Sequence, residues 1–271
     1  MTFSDHALAR RLESTEAHSN AAFVEARARL FPASGAEWRT VGGAFVLFDG
    51  PESPLTQTFG LGLLEEATAD DLAEIEEFFT ARQAPVLHEI SPLASPALWP
   101  LLSERGYRPI EFTSVLYQDA ADLPALAAPS NPVLRTRIIA PAEAEAWART
   151  AAQGWLTEAP ELVDFMDELG RISVNSAGVT AFVAEVDGQA IATASLCMHA
   201  GVALLAGAST VPAGRWQGAQ AALLAARLQH ATAHGCNLVM MGAHPGSQSQ
   251  RNAERLGFRI AYTRAKWQLF R

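Results

Sequence analysis

Hydrophobic and polar positions change period repeatedly along this chain, and the changes divide it into alternating helices and strands. Residues 6–30 interleave apolar and polar positions as a helix does, and residues 38–48 and 55–64 read as strands. Thr68, with Asp71 three residues on, opens a helix whose Leu72, Ile75 and Phe79 share one side. A strand at 85–90, a helix at 96–105 and a strand at 112–117 come next. Residues 119–132 are rich in Ala and Pro, show neither period, and are expected to be a linker. Beyond it come a strand at 133–139, helices at 142–155 and 160–169, and a hairpin of 180–186 with 190–198 across Asp187-Gly188. A strand at 202–211, a helix at 221–234, a strand at 237–243, a helix at 247–256 and strand material at 259–270 complete the chain. The pattern predicts an α/β protein with an N-terminal domain at 1–118, a linker at 119–132 and a C-terminal domain at 133–271.

The most informative stretch runs from Ala203 to Phe258. An apolar strand ending in Val211-Pro212 leads into Arg215-Trp216-Gln217-Gly218-Ala219-Gln220, and an Ala/Leu-rich helix comes after it. A strand, a glycine-bearing turn and a helix N-terminus make an anion site, because the first amides of a helix have no internal partner and the helix dipole favours negative charge there. Further on, Ser249 to Phe258 closes a short helix in Leu256-Gly257-Phe258. Together these segments resemble the GNAT superfamily of acyl-CoA-dependent N-acyltransferases. Its pyrophosphate turn reads Arg or Gln, two residues, Gly, one residue, then Gly or Ala. Arg215 and Gly218 fit that pattern; Gln220 stands at the small position, and Trp216 replaces a frequent glycine.

The resemblance covers roughly residues 133–271 and implies a mixed central sheet flanked by helices. It also implies a role for particular residues. The amides of Ala208, Ser209 and Thr210 would align the pantetheine arm of acetyl-CoA or another acyl-CoA. The turn from Arg215 through Trp216, Gln217, Gly218 and Ala219 to Gln220 would cradle the pyrophosphate, and Asn252 would bond the pantetheine or merely cap its helix. Many GNAT enzymes carry a tyrosine acid four residues before the glycine of the Gly-Phe stop, where this chain has Ala253, and a carboxylate late on the fifth strand, where it has Met240 and Met241. The acid and base are therefore sought elsewhere. His244 comes after the fifth strand and has the right intrinsic pKa range, although His-Pro-Gly also makes a turn. Tyr262 lies beyond the Leu-Gly-Phe stop, where a strand tyrosine also serves packing. Glu185, late in a hairpin strand, would act through water or be an ordinary surface acid.

The N-terminal half ends a helix at Arg105-Gly106-Tyr107 and continues as a strand, as the C-terminal half does at Gly257-Phe258. It is read as a second, degenerate GNAT-like unit, giving two tandem units; an unrelated α/β lid is the alternative. It lacks the Arg-x-x-Gly turn and has Leu63-Leu64-Glu65-Glu66-Ala67 before its helix, where acids repel a pyrophosphate.

Composition narrows the rest. At 271 residues and 49% hydrophobic the chain can bury one large core or two modest ones. A net charge of −9 argues against nucleic acid, and there is no apolar run of about 18 residues to cross a membrane. No basic leader with an apolar stretch behind it opens the chain, and Cys197 and Cys236 read as buried thiols of a cytoplasmic protein. His230 and His234 lack the glutamate of a zinc-protease motif and, with Gln220 and Arg227, read as the polar face of a helix, so no metal is expected. The expectation is a GNAT-type N-acetyltransferase acting on a primary amine of a small molecule or peptide, as monomer or homodimer. The alternatives are a non-catalytic acyl-CoA-binding or sensing protein and an interaction protein with no CoA site.

Overall fold

The computed structural model describes residues 2–123 and 131–270, so residues 124–130 of the expected linker lie outside the described residues. The chain is α/β throughout, and no described helix is long and apolar enough to cross a membrane. It divides into two compact units, residues 1–119 with 240–271, and residues 120–239. The last 32 residues thus join the first unit, unlike the division read from the sequence. The cause is the C-terminal strand, which pairs antiparallel with two strands of the N-terminal half.

In the first unit, α1 (His6–Leu30) is capped by Asp5, whose carboxylate accepts from the Leu8 amide at 2.8 Å. Its Ala17, Ala21 and Val24 pack on Phe45, Leu47 and Phe59 of the sheet. The single strand expected at 38–48 is a hairpin. Its strands β1 (Glu37–Val41) and β2 (Ala44–Phe48) pair across Gly42-Gly43, both at positive φ. Two left-handed residues match the twist of the flanking strands, and glycine adopts that conformation without a Cβ penalty. The expected strand at 55–64 shrinks to β3 (Gln57–Phe59), with α2 (Ala69–Thr80), β4 (Leu87–Ile90), α3 (Leu98–Glu104) and β5 (Tyr107–Asp119) after it. After the second unit the chain returns through β10 (Leu238–Ala243), α7 (Gln248–Arg255) and β11 (Arg259–Leu269), and β11 lies between β4 and β5.

This insertion buries charge between α1 and the sheet. Arg264 of β11, 3% exposed, bonds Glu16 at 2.7 and 2.9 Å and lies 3.4 Å from Glu13. Its Nε is 2.9 Å from Glu89 of β4, an ionic contact rather than a directed hydrogen bond. Lys266 bridges Glu89 and Glu111 at 3.5 and 3.0 Å, and the Tyr262 hydroxyl donates to Glu13 at 2.7 Å. Four carboxylates thus face two cations. Glu13 is pushed up to about 7, chiefly by burial and against the pull of Arg264. Because its folded pKa lies above the ordinary carboxylate value of 4.5, the folded state holds a proton through the window from 4.5 to 7 that the unfolded chain has released. Stability falls as pH rises through that window, by on the order of 3 kcal/mol. Denaturant unfolding of Glu13→Gln at pH 5 and pH 8 is expected to show a smaller loss than wild type; equal pH dependence in both would remove Glu13 as the cause.

The second unit holds β6 (Arg135–Ile138), β7 (Val179–Val186), β8 (Gln189–His199) and β9 (Val202–Thr210) as an antiparallel sheet in that order. Asp187-Gly188 turns β7 into β8 with both residues at positive φ, as the sequence predicts. On this sheet pack α4 (Ala144–Gln153), α5 (Val163–Val174) and α6 (Ala219–Ala233). The Trp147 indole of α4 donates to the Phe182 carbonyl at 2.8 Å and packs with Ala181 and Val183. A Cβ at Gly170 of α5 would stand 3.1 Å from the Ala148 Cα, so glycine permits the close approach of α4 and α5.

Candidate acyl-CoA site

The site is built at the end of β9. Between Thr193 and Ser195, two steps along β8 span three along β9, so β9 carries an extra residue near Gly207, at φ +57. A Cβ there would lie 2.7 Å from the Ser195 hydroxyl. Such a bulge bends its strand and re-aims the residues beyond it. Arg227 of α6 supports it from within, donating to the carbonyls of Ser195 and Ala206 at 3.2 and 3.4 Å. Burial holds its guanidinium down to about 10. Arg227 is 4% exposed, so the helix face read as polar turns inward at this position. The polar residue is retained because the strand carbonyls need donors.

Past the bulge, Ala208 is exposed, while Ser209 and Thr210 are half-buried and engaged. The Ser209 hydroxyl donates to the Ala151 carbonyl at 2.6 Å, and the Gln220 amide donates to the Ser209 carbonyl at 2.9 Å and the Thr210 hydroxyl at 2.7 Å. Gln220, at the position where the GNAT pattern has a small residue, thus ties the start of α6 to the end of β9. Gly154, just past α4, makes room for this junction, because a Cβ there would overlap the Ser209 oxygen. Neither Gly154 nor Ala151 stands out in the sequence, since their role depends on a partner some 58 residues away.

The turn itself is pinned at three points. Gly214 lies against Ile191, whose Cβ a side chain would approach to 2.7 Å. Arg215 donates to the Gly154 carbonyl at 3.1 Å and makes a two-pronged ion pair with Glu158 at 2.7 and 2.9 Å. That contact draws the Glu158 carboxyl below its ordinary range and Arg215 above its own. Gln217 accepts from Asn131 at 2.9 Å. Between the two anchors Trp216 adopts φ +66 and is 99% exposed. Gly218, at φ +81, is the N-cap of α6, with no side chain bonding the first amides and no acid in the first turn. Ala219 is buried behind it.

The corresponding helix of the first unit is closed. Thr68 and Asp71 form a reciprocal capping box on α2, with bonds of 2.8 and 3.1 Å to each other's amides. Leu64 fills the loop ahead of it, within 2.6 Å of where a Cβ at Gly60 would stand. Of the amides there, that of Thr68 meets the Asp71 carboxylate and that of Asp71 meets the Thr68 hydroxyl.

The remaining sequence candidates are spread over other surroundings. Asn252 is exposed on α7, and its oxygen accepts from Gln248 at 2.7 Å and Arg255 at 3.2 Å. Glu185 bonds Arg137 at 2.7 and 3.1 Å, within a surface network that includes Glu143. Tyr262 is buried with its hydroxyl on Glu13, and burial together with that carboxylate raises its pKa well above 10. His244 comes directly after β10, exposed, with the Pro245 carbonyl 3.4 Å from its Nδ1. His230 and His234 stack on one another at 4.0 Å, and no group of three or more His, Cys, Asp or Glu arranged to hold a metal occurs among the described residues.

No protein-family model matches the chain, and no curated protein matches it. Solved structures do. A GCN5-related N-acetyltransferase from Kribbella flavida matches 92% of this chain and 95% of its own, with a TM-score of 0.65 and 22% identity. The chain has the GNAT fold. A tandem GNAT protein from the clavulanic acid biosynthesis pathway matches over 86% of this chain and 80% of its own, at TM-score 0.60 and 17% identity. A conserved protein of unknown function from Bacteroides thetaiotaomicron matches 98% of both chains at TM-score 0.62 and 11% identity. Within this GNAT fold the strand-turn-helix of residues 202–233 starts its helix at a glycine, with no side-chain cap and no acid in the first turn.

Proposed function

We propose that residues 120–239 bind acetyl-CoA or a related acyl-CoA at the turn before α6, and that the protein transfers the acyl group to a primary amine. The observation that carries this reading is the glycine-capped start of α6, free of side-chain caps and acids, directly behind Arg215 on a GNAT fold. In the proposed complex the pyrophosphate rests on the amides from Gln217 to Gln220, and Arg215 exchanges Glu158 for a phosphate. The pantetheine lies along Ala208, Ser209 and Thr210. The ammonium first gives up one proton, the neutral amine nitrogen attacks the thioester carbonyl carbon, the carbon–sulfur bond breaks, and the second proton lost by nitrogen reaches the leaving thiolate, giving amide and free thiol. Holding the two reactants together supplies most of the acceleration.

His244 is the acid–base group we propose. Tyr262 is occupied by Glu13 and Glu185 by Arg137, whereas the His244 ring is exposed and among the described residues bears only a backbone carbonyl contact. Neither Cys197 nor Cys236 forms a disulfide among the described residues and both are buried, which suits the reducing cytoplasm proposed as its location. The test is CoA thiol release from acetyl-CoA with a panel of small amines and peptides. Turnover is expected, with kcat reduced about a hundredfold or more in His244→Ala. Tight acetyl-CoA binding without turnover on any amine would instead identify an acyl-CoA sensor, the reading that the occupied Arg215 and the intrusive Gln220 side chain favour.

A further inference from the structure

Resting on the donor site just described, we propose that Trp216 and Arg135 form a seat for the adenosine 3′-phosphate end of the donor. Free acyl-CoA is thereby preferred over a donor that ends at its phosphopantetheine, such as one carried on a protein. Trp216 is the first observation. Its indole is 99% exposed on a backbone held at φ +66, a conformation that costs a bulky residue about 1–2 kcal/mol. The residues on either side are both tied down, Arg215 to Gly154 and Glu158, Gln217 to Asn131. The ring is therefore held out beside the helix start by a rigid turn, with both faces open. A flat, sequence-adjacent surface next to a pyrophosphate site suits a purine base, which stacks on any aromatic face.

Arg135 is the second, independent observation. It lies on the segment that Asn131 fastens to Gln217, and its guanidinium folds back to donate to the carbonyls of Pro132 and Leu134 at 2.7 and 2.9 Å. It is exposed and makes no ion pair with a carboxylate among the described residues. Its cross-strand neighbour Glu185 is engaged by Arg137, so in a chain of net charge −9 Arg135 keeps no carboxylate of its own among the described residues and, on the segment tethered to the turn, is positioned for an anion. The 3′-phosphate is the one anionic group of CoA beyond the pyrophosphate, and it sits on the sugar that carries the base.

The experiment measures binding of acetyl-CoA, 3′-dephospho-acetyl-CoA and S-acetyl-4′-phosphopantetheine to wild type, Trp216→Ala, Trp216→Phe and Arg135→Gln. Trp216→Ala is expected to weaken both adenosine-bearing donors about tenfold to a hundredfold and to leave acetyl-phosphopantetheine unchanged. Trp216→Phe is expected to stay within about threefold of wild type, since a smaller ring still stacks. Arg135→Gln is expected to weaken acetyl-CoA about tenfold while sparing the dephospho form. Unchanged acetyl-CoA affinity in Trp216→Ala, or an equal loss for all three donors, would overturn the seat while leaving the donor site intact. Failure of wild type to bind any of the three would overturn the donor reading and the seat with it.

Discussion

Arg264→Leu is expected to destabilise the protein by about 3–5 kcal/mol, a large share of the roughly 5–15 kcal/mol that holds a typical domain folded. The guanidinium is 3% exposed and lies against Glu13, Glu16 and Glu89. Removing it leaves buried carboxylates facing one another with Lys266 as the remaining cation of the cluster. An uncompensated buried charge costs far more than the ion pair itself contributes, because water no longer solvates it. Arg264→Lys is expected to recover only part of the loss, since a point charge cannot serve Glu16 with two nitrogens while a third faces Glu89. Chemical denaturation checks both; an Arg264→Leu midpoint within the equivalent of about 1 kcal/mol of wild type would show that the carboxylates simply take up protons.

Gly218→Glu is expected to abolish acetyl-CoA binding, a loss of at least a hundredfold, without unfolding the second unit. At φ +81 the position favours glycine, so any side chain carries strain, and here the side chain adds a carboxylate where the dipole of α6 attracts anions. From the N-cap position the carboxylate would accept from the first amides of α6, as the Thr68 hydroxyl accepts from the Asp71 amide at α2. Gly218→Ala separates the two effects: it shares the strain without the charge and is expected to lose affinity only partly. Equal loss in both variants would make backbone distortion the cause and remove the electrostatic argument.

How much of the molecule was legible in the sequence depends on the range of the interactions. The helix at 6–30 and the Asp187-Gly188 hairpin were readable because caps, turn residues and periodicity are local. The Gly42-Gly43 turn was missed because apolar residues continue on both sides of it, and two short strands read as one. The place of β11 between β4 and β5 was not legible, since strand partners are chosen by packing over long separations rather than by local pattern. The same limit hid the site's wiring. Arg215 and Gly218 carry a local motif, whereas Glu158, Gly154 and Asn131 acquire meaning only when the fold brings them to the turn. Arg227 misled for the opposite reason: helical spacing put it on a polar face, but the strand bulge it serves lies elsewhere in sequence.

Calorimetric titration of acetyl-CoA into the wild-type protein tests the central claim most directly. The glycine-started α6 behind Arg215 predicts one micromolar site per chain, lost in Gly218→Glu. No heat at millimolar acetyl-CoA from folded protein, or a site that survives Gly218→Glu, would contradict the account.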